Sequence, residues 1–131
     1  MKVYFSNLKR EKSFIPTFRW GTPIYVKDLA KAILELSLSK ENGIFHVAGT
    51  SFINRYDWLM KTCKALNWDS SLLFPQEKNV QGSAFRPEKI GLNTKKFNEN
   101  FKTKLHNLDE ALELLKVDFL NWNKSEALSN K

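Results

Sequence analysis

WGTPIYVKDLAKAILEL, residues 20–36, passes within six residues from turn chemistry to a helical repeat. Gly21-Thr22-Pro23 reads as a turn. Beyond it Val26, Leu29, Ala30, Ile33 and Leu36 or Ser37 recur at i, i+3, i+4, i+7. That spacing predicts an amphipathic helix ending near Ser39, with Asn42-Gly43 as its stop. IFHVA (44–48) follows at once, bounded by Gly43 and Gly49. It is too short for a helix and rich in strand formers, which predicts a buried, central strand. His46 alternates between large apolar neighbours there and reads as a packed or edge histidine rather than a proton carrier.

Working outward, residues 1–14 form a polar, basic N-terminal segment. SFIPTF (13–18) reads as extended, with Pro16 restricting it to an edge or a strand end. Asn54 followed by Asp57 has capping-box spacing, and Tyr56, Leu59, Met60, Cys63 and Leu66 then make a second helical stripe over 55–66. LFP (73–75) predicts a strand, and 76–86 a polar connection. In AFRPEKIGLNTKKF (84–97) an Arg-Pro pair enters a short extended piece, after which Asn93 caps a short helix through Phe97. Asn107 caps the last helix, 108–122, with Glu110 three residues on. Its buried face is Leu108, Ala111, Leu112, Leu115, Phe119 and Trp122. A main body over 15–123 and a frayed tail over 124–131 complete the division. Short strands interleaved with three main helices predict a small α/β or α+β layer.

The 131 residues are one domain's worth of chain, and 42% hydrophobic content is enough for a core. Cys63 is the single cysteine and falls on a helix's apolar stripe, so it reads as a small buried side chain. With only His46 and His106 beside it, no zinc-ligand spacing arises, and no metal is expected. No apolar run approaches the roughly 18 residues of a membrane span, and no signal-peptide core is present at the N-terminus; a soluble, cytoplasmic chain is expected. The net charge of +7 suits an anionic partner. The lysines are dispersed and lack a basic stripe with interleaved aromatics, so a nucleic-acid reading rests on charge alone.

Three of these stretches, in order, resemble one family. WGTPIYVKDLAKAILEL is similar to the G-x-P-T-Y-V-x-D-L-A-x-A-I signature of extended short-chain dehydrogenase/reductases, in particular the dTDP-4-dehydrorhamnose reductase branch. GIFHVAG (43–49) with RYDWLMKTCKAL (55–66) resembles that branch's G-I-Y-H-V-x-G strand and following helix, and RPEKIGLNTKKF (86–97) its R-P-x-x-x-x-L-D-T-S-K-L segment. Ile24 stands in place of Thr, Asn93 of Asp and Lys95 of Ser. The resemblance covers about 15–118 and only the C-terminal part of the family, without the Rossmann core. It implies a fold in which a substrate-binding lobe closes over a nucleotide-sugar, and it implies NADPH for the parent reaction, the reduction of a 4-keto nucleotide-sugar.

On this chain the resemblance places Arg86 near the substrate's phosphates, where a guanidinium grips two oxygens, with Pro87 fixing the local φ. The alternative is a surface arginine ahead of an edge strand. Tyr25 and Trp20 either flank a sugar or base or act as core staples at a helix entry. Arg19 stays open between the two, and Arg55 reads as a solvated first-turn residue. No cofactor is expected on the chain itself. Its glycines, 21, 43, 49, 82 and 91, write no G-x-G-x-x-G turn. Four residues beyond Tyr4, Tyr25 and Tyr56 lie Leu8, Leu29 and Met60, so the family's Tyr-x-x-x-Lys pair is missing. The expectation is a detached nucleotide-sugar-binding lobe that is not catalytic alone, partnered by a separate Rossmann-domain chain or by a second copy. The rival is a non-catalytic regulatory or interaction module of the same family.

Overall fold

Capping residues and prolines set where the elements begin and end. In the computed structural model, residues 11–78 and 87–129 are described, with side chains through residue 122. The chain divides into two compact units, each assembled from two stretches of sequence: Met1–Gly21 with Ile53–Ile90, and Thr22–Phe52 with Gly91–Lys131.

In the first unit, strand β1 (Ser13–Pro16) runs parallel to β4 (Leu73–Gln76), Ser13 opposite Leu73 and Pro16 opposite Gln76. Pro16 closes β1, as its missing N–H requires, and Thr17 takes over by donating its backbone N–H and Oγ1 to Gln76 O. Helix α2 (Arg55–Leu66) packs on β1. Asn54 caps it: the Asp57 N–H donates to Asn54 Oδ1 at 2.8 Å, while Asn54 Nδ2 donates to Asp57 Oδ2 at 2.6 Å. At the other end Asn67 takes the left-handed conformation (φ 53°) that asparagine tolerates. Cys63 is buried, and burial pushes its thiol pKa up, with Asp69 adding to the shift. A three-stranded sheet, β3 (Ile53–Asn54), β2 (Trp20–Gly21) and β5 (Lys89–Ile90), lies in the same unit in the order β3-β2-β5.

The second unit holds helix α1 (Val26–Leu38), the short α3 (Lys95–Asn100) and the long α4 (Leu108–Ser129). Its core is Ala32, Phe97 and Leu105, packed by Ile24, Leu36, Phe45, Val47 and Phe101. Phe97 stacks on Phe101, and Phe45 meets Phe101 edge-on. Asn107 and Glu110 form a reciprocal cap on α4, each side chain accepting the other's backbone N–H. Asn93 accepts from the Lys95 N–H at the start of α3. α4 continues through Ser129, past the expected end at residue 122.

Three expectations are corrected. Trp122, expected on the buried face of α4, is 56% exposed. Residues 44–48 form no strand: among the described residues no ladder bond reaches them, and Ile44 is 80% exposed. Phe45 and Val47 do turn into the core, so the alternation of a strand is present without a neighbouring strand to pair with. The buried stripe of α1 is also rotated from the expected one. Asp28 and Ala32 are buried and Leu36 packs on the core, whereas Val26, Ala30 and Ile33 face outward. A helix apolar on both sides admits either assignment from spacing alone.

Candidate functional site

β2 is only two residues long and is held from both sides. Trp20 lies opposite Asn54 on one flank and Lys89 on the other, and Gly21 lies between Ile53 and Ile90. The Trp20 N–H donates to Glu88 O at 2.6 Å, and the Arg55 N–H donates to Arg19 O at 3.0 Å. Residues paired across neighbouring strands project to the same face. Trp20, Asn54 and Lys89 therefore share one face, with Asn54 committed to capping α2. That leaves an indole beside an exposed ammonium. The Arg19 guanidinium lies 5.4 Å from the Phe18 ring centroid, close to the same strand. An aromatic side chain and cations on one strand face and its approach suit a ligand that joins a flat ring to phosphate oxygens.

Of the four residues singled out in the sequence, Trp20 lies in this sheet and Arg19, its chain neighbour, immediately precedes β2. Arg86 lies outside the described residues, three positions before Lys89. Lys89 itself was not singled out; the signal for it was the pairing of the Arg-Pro segment with β2, which only the register reveals.

Tyr25 belongs to the second unit. It sits at the N-cap of α1, buried, with its hydroxyl donating to Asp118 Oδ2 on α4; Lys27 Nζ lies 2.5 Å from Asp118 Oδ1. The Lys27 ammonium, and then the Tyr25 hydroxyl, hold the Asp118 carboxyl below the usual carboxylate range. Burial first, and the bond to Asp118 second, push the Tyr25 phenol up. Nothing local in the sequence announces Asp118, which is 93 residues from Tyr25. Asp28, in the same motif, is buried against His106. Among the described residues no three His, Cys, Asp or Glu side chains group to hold a metal ion, and no helix is long and apolar enough to cross a membrane.

The family described as the RmlD substrate binding domain matches residues 4–120. The chain belongs to that family. The RmlD-like lobe is also similar in fold to the 2.65 Å crystal structure of dTDP-4-dehydrorhamnose reductase from Bacillus anthracis str. Ames in complex with NADP. The TM-score is 0.77 at 20% identity, covering 89% of this chain and 42% of that one. This RmlD-type chain thus spans less than half the length of that reductase. No curated protein matches it. The mixed α/β lobe of short strands and helices corresponds to the C-terminal part of the reductase fold.

Proposed function

We propose that this chain binds the nucleotide-sugar of a 4-keto-sugar reductase of the dTDP-4-dehydrorhamnose type, and that hydride transfer requires a second, cofactor-bearing domain. The observation that carries the reading is the substrate-binding-domain match across residues 4–120. The first unit's sheet supports it, because Trp20, Lys89 and Arg19 offer a stacking surface and cations for a base and its phosphates. Arg86 supplies the phosphate grip in this reading, and Tyr25 keeps the helix entry in place through Asp118.

Among the described residues, neither Gly49 nor Gly91 suits an NADPH pyrophosphate. A Cβ on Gly49 would lie 1.8 Å from Pro23 O, so the room left by the missing side chain is taken by the chain's own backbone. A Cβ on Gly91 would meet only the Phe52 ring. A dinucleotide needs a glycine-tight turn opening on a helix N-terminus, and we assign NADPH to the partner domain. The reaction takes place in the cytoplasm.

The test is titration of dTDP followed by backbone chemical shifts in wild type, Arg86→Ala and Lys89→Ala. One charge-assisted contact contributes about 1.5–3 kcal/mol, whereas micromolar binding takes about 8 kcal/mol. Millimolar affinity is expected, with shifts at Arg19, Trp20 and Lys89 that shrink in both variants. Shifts confined to α4, or none at all, would overturn the reading.

A further inference from the structure

The parallel pair β1–β4 has a face that the candidate site does not use. Helix α2 packs on β1, and the alternate residues Ser13, Ile15 and Leu73 are half-buried or buried. Side chains alternate along a strand, so Phe14 and Phe74, directly opposite each other in the register, stand together on the other face. Their ring centroids are 5.7 Å apart with the planes tilted by 35°, and Phe14 is 62% exposed. Lys12 Nζ lies over the Phe74 ring, 5.5 Å from its centroid. The nearest carboxylates in sequence, Glu11 and Glu77, fall on the alternate positions with Ser13, Ile15, Leu73 and Pro75. Two adjacent rings and a cation therefore share one strand face. The dispersed lysines showed no interleaving with aromatics along the sequence; the β1–β4 register creates one in space.

We propose that this face is a stacking platform for single-stranded nucleic acid, with Phe14 and Phe74 each receiving a base and Lys12 meeting a backbone phosphate. Size, chemistry and charge select this occupant. Two paired strands of four residues cover about 13 Å by 10 Å. That is far less than the roughly 800 Å² each partner gives up in a stable protein interface, so the face alone holds neither a second copy nor another folded protein. Every base has a π-face, and single strands are held by aromatics that take successive bases beside cations that follow the backbone. A mononucleotide covers one ring and leaves its neighbour bare, so the paired rings fit a run of bases. The chain's net charge of +7 draws a polyanion in without selecting its sequence.

The experiment titrates the full chain into fluorescein-labelled oligo(dT) and oligo(U) of about 12 nucleotides, within the footprint of known single-strand platforms, and follows anisotropy. Saturable binding is expected, weakening with salt at a log–log slope of about −0.7 per phosphate contacted. Phe14→Leu keeps an exposed apolar side chain and loses the ring; it should weaken binding about fivefold or more without altering the circular-dichroism melt. Phe74→Leu should do the same, and Lys12→Ala should lower the salt slope by about one contact. The absence of saturable binding would overturn the proposal. So would a Phe14→Leu chain that binds as tightly as wild type, because net charge would then account for the interaction. Displacement of the oligonucleotide by dTDP or by a duplex at equal nucleotide concentration would also overturn it. The first would assign the rings to a single nucleotide, and the second would reduce the contact to phosphate charge.

Discussion

Asp28 and His106 are joined twice through one oxygen: the His106 backbone N–H donates to Asp28 Oδ2 at 3.0 Å, and His106 Nδ1 lies 2.8 Å from the same atom. The carboxylate is 2% exposed, so the approach to α4 is tied to the first turn of α1 with little water to compete. Asp28→Ala leaves a buried N–H without its acceptor, at a cost of about 1–3 kcal/mol. Asp28→Asn keeps an oxygen for that N–H and is expected to lose less. Urea unfolding of both variants checks the order; an alanine variant as stable as the asparagine one would show the double contact to be idle.

The Tyr25–Asp118 bond gives stability a limb at each end of the pH scale. The Tyr25 phenol is raised in the folded chain, so its contribution is complete below the ordinary tyrosine value of about 10 and is lost as pH rises through the folded value. The Asp118 carboxyl is lowered, so its contribution is complete above the ordinary carboxylate range and is lost as pH falls through the folded value. Tyr25→Phe is expected to flatten the alkaline limb, and Asp118→Asn the acid limb and part of the alkaline one. Thermal melts from pH 3 to 11 read both. An alkaline limb unchanged in Tyr25→Phe would dissociate the phenol from it.

Two glycines make opposite predictions. Gly49→Ala puts a methyl 1.8 Å from Pro23 O and 2.9 Å from Pro23 C, both backbone atoms that cannot swing aside. A loss at or above the upper end of about 1–3 kcal/mol follows. At Gly91 the added carbon would meet the edge of the Phe52 ring at 3.4 Å, close to ordinary contact, and a change within about 0.5 kcal/mol follows. Equal losses in denaturant titration would contradict the packing at Gly49.

Local chemistry was legible in the sequence and long-range pairing was not. The caps at Asn54 and Asn107, the end of α1 and the strand at Leu73 were readable because a side chain and the backbone group it satisfies lie within a few residues of each other. Two-residue strands such as β2 and β3 carry no periodicity, and Asp118 and His106 become partners of the α1 entry only through the fold. The burial of residues 44–48 was half right: Phe45 and Val47 are packed, but a strand is defined by its neighbour, and pattern says nothing of whether that neighbour is present. For the candidate site, Trp20 was named from the family motif and Arg19, just before it, was left open, whereas Lys89 required the β2–β5 register.

The two units are threaded through each other in sequence: the first is begun, left at Gly21, resumed at Ile53 and finished at Ile90. As the chain leaves a ribosome, β1 must wait for β4, with Thr17 and its acceptor Gln76 59 residues apart. The second unit waits for α4, whose Asp118 receives the hydroxyl of Tyr25. At about 5–20 residues per second, β1 and α1 spend several seconds without their partners, a window in which a nascent-chain chaperone has access to both. A contiguous fragment that holds one unit whole also carries a piece of the other: 1–90 includes Thr22–Phe52, and 22–131 includes Ile53–Ile90, so a clean split of the gene into the two units is not available.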